Sequence, residues 1–335
     1  MPEDLPTAAA TLENGLAHRR PIMAGACPTC IWGPIAVLTR QALVAYGYDV
    51  QICYNCNRQL SVPSVARAIE PPPLNKWDVL LGDPPPPRGK VDFGVTNSHT
   101  LWRAFTGDDY ADGPQTHLRL IAYIEDLHLI QVAARRSLSL VGLEDVANKH
   151  LPITLLLDGS PFVPSIVAYY GLDKLESWGG TIKRGYGGEN AENRNNFDVL
   201  ITAHGGLANN IENDLLYEVT QKFDLQFLEF APELMAQMSE RFLLEIVPVP
   251  VGLLKGIDRP MMTLARNGQS VFGREDLPDD FAYDVARALD ENRSKLKYLN
   301  RPYFYDPKTV WQGIGSVPLH PGAERYYQEQ HYLES

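Results

Sequence analysis

The chain is expected to fold as a two-lobed α/β protein that closes around a small molecule. Its 335 residues suffice for two domains of ordinary size, each with its own core. Short apolar strand patterns alternate with helical ones along both halves. Polar turns follow those strands, where parallel α/β sheets place their ligands.

The first strand is read at Ile22–Ala26. After the turn Gly25–Thr29, apolar Ile31, Ile35, Leu38, Ala42 and Ala45 recur at helical spacing, and Gly47 ends that helix. Tyr48–Cys53 reads as a second strand and Ser64–Ile69 as a helix. The proline runs at 71–73 and 84–87 mark an extended surface insertion. Val91–Thr96 is a third strand, followed by a helix over Thr100–Phe105. Leu118–Ala134 reads as one long strand crossing between lobes. The second lobe repeats the alternation: strand Pro152–Leu157, turn Asp158–Pro161, helix Pro164–Tyr170, a glycine-rich loop from Gly179 to Gly188, strand Asp198–Ala203 and a helix from Leu207. The chain returns through Met261–Leu264 and the helix Phe281–Leu289. Alternation of this kind favours parallel sheets with helices on both faces. The loops at Gly25–Thr29, Cys53–Asn57, Thr96–His99, Asp158–Ser160 and Ala203–Gly206 would then line one crevice between the lobes.

Composition narrows the function classes. Hydrophobic residues at 44% and charged residues at 21% describe a globular chain, and the formal net charge of −11 disfavours nucleic acid and anionic membrane as partners. No segment approaches the roughly 18 apolar residues that span a bilayer. The N-terminus lacks the basic and apolar regions of a secretory signal, so a cytoplasmic protein is expected; the alternative is a periplasmic one whose signal is missing. No nucleophile elbow, HExxH or P-loop is present, and the glycine segments match no dinucleotide fingerprint, so no nucleotide cofactor is indicated.

The four cysteines form two CxxC pairs, Cys27/Cys30 and Cys53/Cys56, each after a predicted strand. Four readings are open. The pairs can supply a four-thiolate site for zinc or iron, form disulfides, or share no role. The fourth is acid–base or nucleophilic catalysis by Cys27 and Cys30 at a helix start, with His99 and His204 as proton partners. Each histidine also has a purely structural reading, and His320 is expected to form a turn. Thr29, Asn97, Ser98, Ser160 and Asn209 are polar groups suited to holding a ligand. Trp32 offers an apolar wall or core packing, and His128 lies on the crossing strand.

Several tracts carry a family resemblance. Val317–Glu329 (VPLHPGAERYYQE) resembles the ending of the TAXI family of TRAP-transporter solute receptors. Val91–Gly107, Val141–Ser160, the AYYGL ending at Leu172 and DVLITAHGG are similar to that family's successive units, together covering about residues 20–329. The resemblance implies a periplasmic-binding-protein-like (type II) fold with a hinged cleft. Lobe 1 would comprise 20–130 plus 262–335 and lobe 2 131–261, after an N-terminal extension, 1–19. It also implies capture of a small organic acid and handover to a TRAP permease if the protein is exported. The sequence departs from the family at AGACPTCIWGP and CYNCNRQ, where cysteines replace small hydroxyl residues. The leading expectation is therefore a cytosolic lyase, isomerase or hydrolase acting on a small organic acid. The alternative is a solute receptor without catalysis.

Overall fold

A computed structural model describes residues 20–333 apart from 26–31, 81, 83, 109, 111, 186–187, 207–213 and 297–303. The chain divides into two compact units, one formed by residues up to Asp126 and from Gly268 onward, the other by Leu127–Asn267. The sequence-based boundaries, 130/131 and 261/262, lie a few residues away, inside two strands that the second unit keeps whole.

Unit 1 begins with strand β1 (Ile22–Ala24) and helix α1 (Gly33–Leu43). Pro34 sits in the first turn of α1, where its missing N–H costs nothing, and Ile35, Leu38 and Ala42 form the buried stripe. A 3₁₀ turn and left-handed Gly47 close it, as the glycine suggested. Next come β2 (Gln51–Cys53), a 3₁₀ segment (Tyr54–Ser61), α2 (Val62–Ala66), α3 (Lys76–Leu80), β3 (Val91–Asn97), α4 (Ser98–Thr106) and β4 (Leu118–Ile124). Apart from α3, the described residues of the proline-rich stretch 71–90 carry no regular element.

In unit 2, β5 (His128–Arg135), α5 (Glu144–Asn148), β6 (Thr154–Leu157) and α6 (Val163–Tyr169) come first. They are followed by β7 (Thr181–Arg184), β8 (Val199–Gly206), α7 (Asp214–Lys222), β9 (Leu225–Leu228), α8 (Pro232–Phe242), β10 (Glu245–Val249) and β11 (Met261–Arg266). Unit 1 then resumes with β12 (Gln269–Arg274), α9 (Asp279–Glu291), α10 (Arg293–Leu296) and α11 (Pro321–Glu329).

The sheet of unit 1 has the order β2-β1-β3-β12-β4. Its first three strands are parallel, and β12 is antiparallel to both neighbours. Met23, Phe93, Val95 and Val271 face one core with α1, α9 and α11. Ile22, Ala24 and Phe272 face another with α2 and α4. In unit 2, β6, β7 and β8 run parallel, whereas β5 is antiparallel to β8, β9 and β11. Leu155, Leu157 and Ile201 pack under α6 and α8, while Leu156 and Leu200 pack under α7. Both units thus carry helices on both faces, as expected, but their sheets are mixed rather than parallel. The cause is the double crossing, since each chain passage between units adds an antiparallel strand. The expected single strand Leu118–Ala134 is two strands, broken at Glu125–Leu127.

α11 shows why the C-terminal tract matters to the fold. His320 is fully buried, and its Nδ1 accepts the Gly322 N–H at 3.2 Å, so it caps the helix as its turn reading anticipated. Tyr327 Oη donates to the Ile121 carbonyl at 2.8 Å, and Tyr326 Oη donates to Asp290 at 2.7 Å. Burial, the largest influence, pushes the His320 pKa below its ordinary value. Because the folded state favours neutral imidazole, this contribution to stability is fully present above the unfolded pKa of 6.5 and is lost as pH falls from there toward the folded pKa. We expect Tm to rise between about pH 5 and about pH 7, with a shallower slope in His320→Asn, which keeps a capping acceptor but does not titrate. Equal slopes by calorimetry would show that His320 is not a stability-linked group.

Candidate functional site

At the carboxyl end of the parallel strands of unit 1, Gly25 after β1, the segment after β2 and the residues after β3 come together. β1 ends at Gly25, whose φ of 98° favours glycine. A Cβ there would lie 2.6 Å from Ser61 Oγ and against the Val95 carbonyl oxygen. Ser61, buried and left-handed at φ 68°, donates from Oγ to that same carbonyl at 2.9 Å. Next to Val95, Thr96 Oγ1 is buried and has no hydrogen-bond partner among the described residues. Asn97 caps α4, its Oδ1 accepting from Thr100 N (2.9 Å) and Thr100 Oγ1 (2.7 Å). Ser98 N donates to Gly268 O at 3.0 Å, and Ser98 Oγ lies 2.8 Å from Ser270 Oγ. Three strand ends and the N-terminus of α4 thus gather hydroxyls and amides suited to an anionic or polar group.

A second chain of bonds braces this end. Trp32 Nε1 donates to Gln269 Oε1, and Gln269 Nε2 donates to Asp126 Oδ2, each at 2.7 Å. All three side chains are buried.

In unit 2 a separate polar group forms where β6, β8 and β11 end and β5 begins. Asp158 accepts the backbone N–H groups of Ala203 and, at 2.8 Å, Ser160. Arg266 Nε donates to the Ala203 carbonyl at 3.3 Å, and its Nη2 lies 3.4 Å from His128 Nδ1. A guanidinium only donates, so His128 Nδ1 accepts, which leaves the imidazole proton on Nε2. Arg266 is 6% exposed, which puts a buried positive charge at this strand end.

The structure therefore brings Asn97, Ser98, His99 and Trp32 into unit 1's polar end, and His128 and Ser160 into unit 2's. Trp32 is hydrogen-bonded core. His99 is buried in the first turn of α4. Cys27, Thr29, Cys30 and Asn209 lie outside the described residues, as does the side chain of His204. One expectation is corrected: Cys53 and Cys56, offered as half of a four-thiolate zinc or iron site, are joined in a disulfide. Bonded sulfurs are not thiolate ligands, so the pair does not fit such a metal. Among the described residues no cluster of three or more His, Cys, Asp or Glu is arranged to hold a metal ion. Sequence reasoning missed Ser61, Asp126, Arg266, Gln269 and Ser270. Arg266 had a visible signal, a lone charge ending the apolar run MMTLAR.

Residues 87–330 match the model of the NMT1-like family. The chain belongs to the NMT1-like family. This match spans less of the chain than the expected TAXI resemblance and does not reach that subfamily; it includes β3, α4, all of unit 2, and β12. Among solved structures, this NMT1-like chain is similar to the periplasmic binding protein BugD, with 11% identity, TM-score 0.43, and coverage of 93% of this chain and 94% of that one. A TctC solute-binding protein from Polaromonas gives 12% identity and TM-score 0.41, with 94% and 99% covered. A histidine-bound substrate-binding protein of an ABC uptake transporter from Streptococcus pneumoniae gives 9% and 0.37, with 87% and 94% covered.

The Gly25 contact yields a direct test of the unit 1 geometry. Gly25→Ala forces an L-residue into a left-handed conformation against Val95, and we expect it to cost about 2 kcal/mol or more. Chemical denaturation would measure it. A loss below about 0.5 kcal/mol, the scale of an ordinary surface change, would mean that Gly25, Ser61 and Val95 do not meet as described.

Proposed function

We propose that this NMT1-like chain is a solute-binding receptor of the TAXI kind, which captures a small organic anion and catalyses nothing. The observation that carries this reading is the convergence of Gly25, Ser61, Thr96 and the α4 N-terminus at the carboxyl ends of three adjacent strands. There Thr96 Oγ1 has no hydrogen-bond partner among the described residues, and it lies at a strand end next to a helix N-terminus. In unit 2, Arg266 supplies a buried positive charge for a carboxylate. Family membership and two α/β units joined by two chain crossings support the same reading. Of the residues expected to catalyse, only His99 has a described side chain, and it is buried within a helix start.

The Cys53–Cys56 bond favours an oxidising compartment, hence a periplasmic or otherwise exported protein rather than the cytoplasmic one first expected. Among the described residues no helix is long and apolar enough to cross a membrane. The partner would be a TRAP-type permease, which takes over the bound solute.

A panel of mono- and dicarboxylates and amino acids, screened by thermal shift and followed by NMR, tests this. A receptor raises its Tm with one ligand class and returns that ligand unchanged after prolonged incubation. Arg266→Gln is expected to weaken the binding of that class about tenfold or more, by loss of a charge-assisted bond. Conversion of any panel member would restore the enzyme reading instead.

A further inference from the structure

The CxxC pair at Cys53 and Cys56 lies within the wall of the unit 1 polar end, and its bonding state bears on how that wall is held. Cys53 closes β2, and Cys56 belongs to the 3₁₀ segment Tyr54–Ser61. Both cysteines are buried, at 0% and 1% exposure. Among the described residues, hydrogen bonds tie the segment to its surroundings at three places. Asn55 Nδ2 donates to Pro72 O, Ser64 Oγ donates to Cys56 O at 3.1 Å, and Ser61 Oγ donates to Val95 O at 2.9 Å.

Two features say that this segment does not hold its own shape. Its sequence, YNCNRQLS, is polar, and 3₁₀ runs beyond three or four residues are uncommon because their hydrogen bonds are poorly aligned. It also ends on Ser61 in a left-handed backbone that a non-glycine residue adopts only when its surroundings hold it there. A covalent link at the start of the segment is the constraint that offsets both costs.

We propose that oxidation of Cys53 and Cys56 is an assembly step for the unit 1 site: the disulfide locks Tyr54–Ser61, which sets Ser61 against Val95 and fixes the strand end that leads into Thr96–Thr100. The chemistry is thiol–disulfide exchange. One cysteine thiolate attacks a disulfide-bearing oxidant and releases one of its thiols. The second cysteine thiolate then attacks the mixed disulfide and releases the other. The chain loses two protons and two electrons, and the oxidant is reduced to two thiols. In a reducing compartment the same chain would carry a loosened site. That consequence rests on the receptor reading above, whereas the structural coupling does not.

Amide hydrogen exchange separates the two. Wild-type protein is compared with Cys53→Ala/Cys56→Ala, without any ligand. The expected result is exchange about tenfold faster or more in segment 57–66 and in Val95–His99, with unit 2 strands β5 and β8 unchanged. Unchanged exchange at Val95–His99 overturns the proposal, as does an equal rise in unit 2, which would signal general destabilisation. If the double variant does not fold, Ser61→Ala decides: it keeps the disulfide but cuts the link to Val95, and the same rise at Val95–His99 is required. Metal analysis of the wild-type protein adds one more route to rejection, since a metal bound through Cys53 and Cys56 excludes the disulfide. A positive exchange result together with no solute found in the thermal-shift panel would leave the coupling established and the receptor reading rejected.

Discussion

Gln269 occupies a tightly constrained polar position in unit 1, because its side chain is held at both ends. Its oxygen accepts from the Trp32 indole and its nitrogen donates to the Asp126 carboxylate, which fixes the amide's orientation as well as its place. All three groups are buried, so each bond replaces water that cannot return, and breaking one would leave a buried polar atom unsatisfied at about 1–3 kcal/mol. Asp126 is the last residue before the chain leaves unit 1, and Gly268 is the first after it comes back. The exit, the return and the start of α1 are therefore tied in one chain of hydrogen bonds. The return strand then reaches the polar end directly, since Gly268 O takes the Ser98 N–H and Ser270 meets the Ser98 hydroxyl.

That dependence on the return strand explains what was legible in the sequence. Strands β1, β3, β6 and β8 and helices α1 and α9 announce themselves through apolar periodicity and glycine stops, which are local signals. The loop after β3 was correctly placed at a strand end for the same reason. β12 is not announced: QSVFGR begins with two polar residues and carries a glycine, yet it is the strand that supplies partners to Trp32 and Ser98. Its polar residues are polar because they are bonded across the sheet, and that is a long-range fact no local pattern encodes. The break at Glu125–Leu127 was hidden for a related reason. Strand-like residues on both sides read as one run, and only the division into two units shows that the chain changes sheets there.

The cysteines mark a different limit. CxxC spacing permits metal ligation, disulfide formation and thiol catalysis alike, because all three need two sulfurs on one short loop. What separates them is the backbone on which the sulfurs sit. At Cys53 and Cys56 that backbone is a buried 3₁₀ turn against the parallel strands, and it brings the two sulfurs to each other.

The balance between capture and catalysis follows from how the polar groups are engaged. A catalytic acid or base has to exchange a proton with a reacting atom, so it needs an atom free to reach one. In unit 1 the Asn97 carbonyl oxygen is committed to the α4 cap and the Ser98 hydroxyl to Ser270. In unit 2 the Asp158 carboxylate accepts two backbone N–H groups and Arg266 donates to Ala203. Groups tied in this way act as a rigid frame that holds the donors around them in fixed directions. Rigid donors lower the ordering cost of binding an anion of matching shape. Among the described residues, this engagement favours the proposed recognition over proton transfer.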